Sequence, residues 1–130
     1  MNKILRKTTV LIAEDDRFNR LLLISMLAKN KQIKVLEAKN GEEALEMLSR
    51  HNIDILLLDI YMPKMNGLET LKKIRRMDRV ANIPIMVISS DETEMKKSLK
   101  FGANAFIAKP FKIKELEGQI YTLLGAKHKV

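Results

Sequence analysis

The chain of 130 residues carries 24 Lys and Arg against 16 Asp and Glu, for a formal net charge of +8, and contains no cysteine. Its length suits one domain with one core, and the missing cysteines exclude a disulfide framework and thiolate metal sites. The apolar run from Val10 stops at Glu14, too short for a secretory signal or a bilayer span, so a cytoplasmic protein with no membrane association is expected.

The first expected strand is Thr9 to Ala13, and it ends on the acids Glu14, Asp15 and Asp16. A helix follows in which Phe18, Leu21, Leu22 and Ser25 share one face, with Asp16 placed to cap it. Lys34 to Ala38 reads as a second strand; Asn40-Gly41 then opens a helix with Ala44, Leu45 and Leu48 on one face. The third strand, Asp54 to Asp59, runs through "ILLL" into a carboxylate, and Asn66-Gly67 opens a helix marked by Leu68, Leu71 and Ile74. Pro84 to Ser89 is the fourth strand, before a short helix marked by Met95 and Leu99 that Gly102 can close. Ala105 to Lys109 is the fifth, and the last helix carries Ile113, Leu116, Ile120 and Leu123 up to Gly125.

Three of these strands are nearly continuous apolar runs, as in a parallel sheet whose two faces are both covered by helices. The alternation predicts an α/β, doubly wound five-stranded parallel sheet with five helices. In such a sheet the functional crevice lies outside the carboxyl ends of the strands. Those ends carry Glu14 and Asp15, Asp59, Ser89 and Lys109. Each has a plain reading as a cap or a solvated charge, but four reactive groups at equivalent ends make one constellation. Carboxylates brought together need a cation or a raised pKa, and oxygen-only ligands suit Mg2+, which commonly bridges carboxylates to a phosphoryl group. Lys109 and Ser89 can serve further anionic oxygens, leaving Asp59 as a nucleophile that forms an acyl phosphate.

The acidic pair after the first strand, "LLLDIYMPKMNG" around Asp59, "VISSD" and "AFIAKPF" together resemble the receiver domain of two-component response regulators, similar to the single-domain chemotaxis regulators. The likeness covers about Thr9 to Leu124 of a single domain spanning 1–130. It implies a flavodoxin-like fold with strand order 2-1-3-4-5. It also implies phosphorylation of Asp59 by a histidine kinase or a phosphotransfer protein, and a surface that switches its affinity for a downstream target. Glu14 and Asp15 match the family's acidic pair; this register, rather than Asp15-Asp16, puts Asn19-Arg20 where receivers often carry such residues. Asp59 and the backbone carbonyl of Tyr61 complete the implied Mg2+ ligands. Lys109, ahead of Pro110 in what is often a cis bond, is the matching lysine, and Ser89 stands where the family has Ser or Thr. Phe106 occupies the aromatic switch position linked to Ser89, without the hydroxyl a Tyr would bring.

Two other classes fit less well. A phosphatase of the haloacid dehalogenase type also places an Asp nucleophile at a strand end, but it needs a second acid two residues later, where this chain has Tyr61. A nucleic-acid binder would use the cations, but these are scattered, densest at Lys72 to Arg79 with smaller groups at Lys3 to Lys7 and Lys127 to Lys129; with 5% aromatics and no Trp, stacking groups are lacking. A solvated helix face accounts for them, and an acidic protein partner fits as well. A degenerate receiver that only binds partners would have to be inactive despite holding every phosphorylation residue. The sequence leaves open whether this is a stand-alone receiver or part of a hybrid kinase or larger regulator.

Overall fold

In a computed structural model of the protein, residues 7–62 and 64–125 are described. The expected basic groups at Lys3 to Lys7 and Lys127 to Lys129 lie outside this range, apart from Lys7 itself. Five parallel strands, β1 (Thr8–Ala13), β2 (Ile33–Ala38), β3 (Ile55–Asp59), β4 (Ile85–Ser89) and β5 (Ala105–Ala108), pair in the order β2-β1-β3-β4-β5. The expected strands, order and alternation are all present. Their bounds move by a residue where chemistry dictates: Asp54 stays outside β3 and uses its carboxylate to accept the Thr9 N–H at 2.7 Å.

The central strands explain their own sequence. Every residue of β3 and β4 is buried, because helices cover both faces. Along each strand, alternate side chains enter alternate layers. Leu11, Ala13, Leu56, Leu58, Ile85 and Val87 pack with Ala44 and Leu48 of α2 (Gly41–Arg50) and with Leu71 and Ile74 of α3 (Gly67–Ile74). Val10, Ile12, Ile55, Leu57, Met86 and Ile88 pack with Leu23 and Leu27 of α1 (Arg17–Ala28) and with Leu116, Ile120 and Leu124 of α5 (Ile113–Leu124).

Caps set the helix starts. Asp16, Asn40 and Asn66 accept the backbone N–H groups of Asn19, Glu43 and Glu69 respectively, and Glu69 returns the bond to Asn66 in a full capping box. Gly102, at φ 114, follows α4 (Met95–Lys100) in the left-handed region, as expected for a residue that closes a helix.

Two helix faces differ from expectation. On α1 the face of Phe18, Leu21, Leu22 and Ser25 is the solvent face, with Phe18 73% exposed; Arg20, Leu23 and Leu27 point inward instead. The cause is that "RFNRLLLISMLA" is apolar nearly all round, so periodicity alone does not fix its phase. On α4, Met95 and Leu99 are exposed and Ser98 is buried, its hydroxyl donating to the Glu94 carbonyl at 2.8 Å. A six-residue helix has too few turns for apolar spacing to decide its orientation.

Candidate functional site

The carboxyl ends of β1, β3, β4 and β5 bring the expected groups to one edge. Glu14, the first residue after β1, is 2% exposed; Asp59, the last of β3, is 7% exposed; Asp15 between them is open to solvent. Carboxylate oxygens of Glu14, Asp15 and Asp59 all lie within 4.8 Å of one another. Asp16 is occupied as the α1 cap, its Oδ2 accepting the Asn19 N–H at 2.8 Å. Lys109, just beyond β5, sends its Nζ to Glu14 Oε1 at 3.4 Å, while its backbone N–H donates to the Ser89 carbonyl at 2.9 Å. The peptide bond from Lys109 to Pro110 is cis, as the resemblance implies.

Three ionised carboxylates at this spacing repel one another by on the order of 3 kcal/mol per pair at an effective dielectric constant of about 20. The response falls on Asp59. Burial first, and then the neighbouring Glu14, push its carboxyl up from 3.8 to about 7, against the opposing pull of Lys109 and a backbone hydrogen bond at Tyr61. The folded chain therefore holds a proton between pH 3.8 and about 7 that the unfolded chain releases. Its contribution to stability is fully present below 3.8 and is lost as pH rises through about 7. Without metal, thermal unfolding followed by circular dichroism should show the Tm falling over that window, and millimolar Mg2+ should reverse the fall above it. A Tm that rises steadily from pH 4 to pH 8 would contradict this assignment.

The donor set is all oxygen, two of its members are buried, and burial and then the neighbouring Glu14 push the Asp59 carboxyl up. That is the chemistry of a site for a hard divalent cation such as Mg2+. Glu14, Asp15 and Asp59 are the side chains that could hold it.

Ser89, at the end of β4, is 1% exposed, and its Oγ accepts the Asp91 backbone N–H at 3.0 Å. Tyr61 is over half exposed; its hydroxyl donates to Asp91 Oδ2 at 3.0 Å, bridging the loops after β3 and β4. This bond raises the Tyr61 pKa, while Asp91 is held low first by hydrogen bonds from Thr93 and then by Tyr61. Phe106 is not part of the acidic group. It pairs with Val87, two residues before the Ser89–Ala108 pair, and its half-buried ring packs on the α2–α3 layer.

Two contacts escape a reading by spacing. One is the Tyr61–Asp91 bridge between residues 30 apart in sequence. The other is Arg20, 6% exposed, whose Nη1 donates to the Glu14 carbonyl at 2.9 Å. The signals for Arg20 were a cation set among the apolar residues of α1 and its place, with Asn19, where the resembled family often has such residues; neither gives its partners.

Among known proteins, this chain is 36% identical over 117 residues to the chemotaxis protein CheY of Halobacterium salinarum, covering 90% of this chain and 97% of that one. It is 35% identical over 121 residues to the transcriptional regulatory protein CpxR of Escherichia coli, covering 92% of this chain but only 50% of CpxR. In structure it resembles the receiver domain of the Francisella response regulator 1452, with a TM-score of 0.84 at 28% identity, over 93% of this chain and 99% of that one. The family model for the response regulator receiver domain matches residues 10–121. With its flavodoxin-like sheet and the acidic edge described above, the chain belongs to the response regulator receiver domain family of two-component systems.

Proposed function

We propose that this protein is a phosphoacceptor in which Asp59 takes a phosphoryl group from the phosphohistidine of a histidine kinase or a phosphotransfer protein. The observation that carries this reading is the convergence of Asp59 with Glu14, Asp15 and Lys109 at one sheet edge. An Asp59 carboxylate oxygen attacks phosphorus as the bond to the imidazole nitrogen breaks, giving an acyl phosphate and a free histidine. Bound Mg2+ would supply charge neutralisation for the transferring phosphoryl oxygens. Glu14, Asp15 and Asp59 would hold it with the Tyr61 carbonyl as a further protein ligand. Lys109 is within reach to leave Glu14 and pair with a phosphoryl oxygen, and the Ser89 hydroxyl can donate to another.

The switch would couple Ser89 to Phe106 at β5, altering a surface read by a downstream target protein. Nucleic acid is not part of this reading. A groove of about 240 Å3 beside the site is lined by Leu22, Met26, Pro110 and Phe111 as well as Glu14 and Lys109. It offers the phosphodonor an apolar seat beside Glu14 and Lys109, and α1 also exposes Phe18 and Leu21. No helix among the described residues is long and apolar enough to cross a membrane. A cytoplasmic receiver domain spanning 1–130, with a core at about 9–124, is the proposed setting: a signalling module rather than an enzyme, which promotes its own phosphorylation and dephosphorylation.

Incubation with a small acyl phosphate and Mg2+, read by intact mass, tests the proposal. One added phosphate per chain, prevented by EDTA, is the expected result. No adduct from an acyl phosphate or from any phosphohistidine donor would favour a receiver that acts only by binding.

Tyr61 should set how long the phosphate lasts. With its hydroxyl bridged to Asp91, the bulky ring two residues after Asp59 would hinder the approach of a hydrolytic water. Tyr61→Asn removes the ring and should speed loss of the phosphate several-fold, followed by mass after the donor is removed. An unchanged rate would discard this role.

A further inference from the structure

Arg20 is a cation on the inward face of a helix, 6% exposed beside Leu23 and Leu27. A guanidinium is left in such a place only when its donors are satisfied. Nε donates to Glu37 Oε1 at 2.8 Å, and Nη1 donates to two backbone carbonyls, those of Glu14 at 2.9 Å and Asp15 at 3.4 Å. The ion pair with Glu37 ties α1 to β2, but the Glu37 side chain is 51% exposed, so solvent screens that pair and it gives little reason to bury the cation. The carbonyl contacts differ in kind, because they fall on the two residues that carry two of the three clustered carboxylates.

That loop has a specific problem. Glu14 and Asp15 must point their side chains towards Asp59 while like charge pushes all three apart. Other bonds hold parts of the loop: the Glu14 N–H donates to the Ala38 carbonyl at 3.1 Å, and Glu14 Oε2 accepts the Asp16 N–H at 3.2 Å. The carbonyls of Glu14 and Asp15 set the planes of the peptides that follow each residue, so fixing them fixes how the loop leaves β1. The Arg20 guanidinium does this through its Nη1, which donates to both carbonyls.

We propose that Arg20 is a positioning residue for the cation site, holding the Glu14 and Asp15 backbone so that their carboxylates stay converged on Asp59 before any cation binds. Preorganisation of this sort removes an ordering cost from the binding step. The inference rests on reading the acidic cluster as a Mg2+ site. Its test measures metal binding rather than phosphorylation.

Mg2+ affinity is measured by NMR titration of the 15N-labelled full chain at pH 8 for the wild type, Arg20→Gln, Arg20→Lys and Glu37→Gln, with circular dichroism and Tm of each metal-free protein. Arg20→Gln should bind Mg2+ at least tenfold more weakly while keeping the wild-type spectrum. Arg20→Lys, which retains the charge and reaches fewer acceptors, should lie between Gln and wild type. Glu37→Gln breaks the ion pair but leaves the carbonyl contacts, and should stay within about twofold of wild type. A folded Arg20→Gln that binds as the wild type does would overturn the inference, as would Glu37→Gln and Arg20→Gln losing affinity equally. Should Arg20→Gln fail to fold, Arg20→Lys decides: wild-type affinity rejects the role, and weakened affinity beside an unaffected Glu37→Gln supports it. A wild-type chain that takes no Mg2+ overturns the proposed function and this inference together, whereas wild-type binding unchanged by Arg20→Gln overturns the inference alone.

Discussion

Asp59→Asn should abolish the phosphate adduct and, in the absence of Mg2+, yield a protein that is harder to melt than the wild type above pH 7. The two effects share one cause. Asn keeps nearly the shape of Asp but cannot form an acyl phosphate, so the adduct should fall below detection, a loss of a thousandfold or more in rate. It also cannot ionise. Wild-type Asp59 must become charged above about pH 7 in a buried site beside Glu14, whereas Asn stays neutral at every pH. The variant's Tm should therefore nearly match the wild type at pH 5, where Asp59 is protonated, and exceed it at pH 8. Adding Mg2+ at pH 8 should raise the wild-type Tm and scarcely move that of Asp59→Asn. An adduct of undiminished yield would place the phosphoacceptor elsewhere, and a variant less stable than the wild type at pH 8 would contradict the electrostatic account.

Gly67→Ala should be the most damaging of the small substitutions. The backbone at Gly67 lies outside the left-handed region, so local conformation does not demand glycine, and alanine would improve helix propensity by about 1 kcal/mol. Space decides against it. A Cβ at this position would run into the Asp59 carbonyl oxygen and would lie 2.6 Å from Ile60 Cα, both backbone atoms that no rotamer change can move. The Gly67 N–H also donates to the Ile60 carbonyl at 2.7 Å, so the start of α3 is pinned against the end of β3. Overpacking of this kind typically costs about 1–3 kcal/mol, and a collision with backbone belongs at the upper end, enough to outweigh the propensity gain. The net loss should lower the Tm by roughly 3–8 °C, and Asp59 should shift with its own peptide, slowing adduct formation. Gly118→Ala is the matching control. An exposed position in α5 with nothing within 4 Å of the added carbon should instead gain stability of about 1 kcal/mol. Equal Tm changes for the two variants would show that the contact at Gly67 relaxes freely.

The sheet was legible because its central strands are buried on both faces and so read as unbroken apolar runs. "DILLLD" could hardly be anything else, and once the strands were placed their carboxyl ends gathered Glu14, Asp15, Asp59, Ser89 and Lys109 without further assumption. Helix phase was legible only where polar residues marked the outer face. It worked for α2, whose Glu42 and Glu46 are exposed and whose Ala44 and Leu48 are buried. It failed for α1, where eight apolar side chains surround the axis and a buried arginine reverses the usual sign of the signal. Arg20 and the Tyr61–Asp91 bridge were out of reach for the same reason: each depends on a partner brought close by the fold, and spacing along one element carries no trace of it.

The rims of the sheet limit how copies of this chain can meet. β5 is only four residues long, and β2, the other edge strand, carries the exposed charges Lys34 and Glu37, one towards each face, with Glu37 paired to Arg20. Short and charged margins give a second chain no flat template for adding a strand, so the domain resists edge-to-edge aggregation even though apolar side chains fill its interior. Any self-association that accompanies signalling would have to use helix faces, which can be formed and released without unzipping backbone hydrogen bonds.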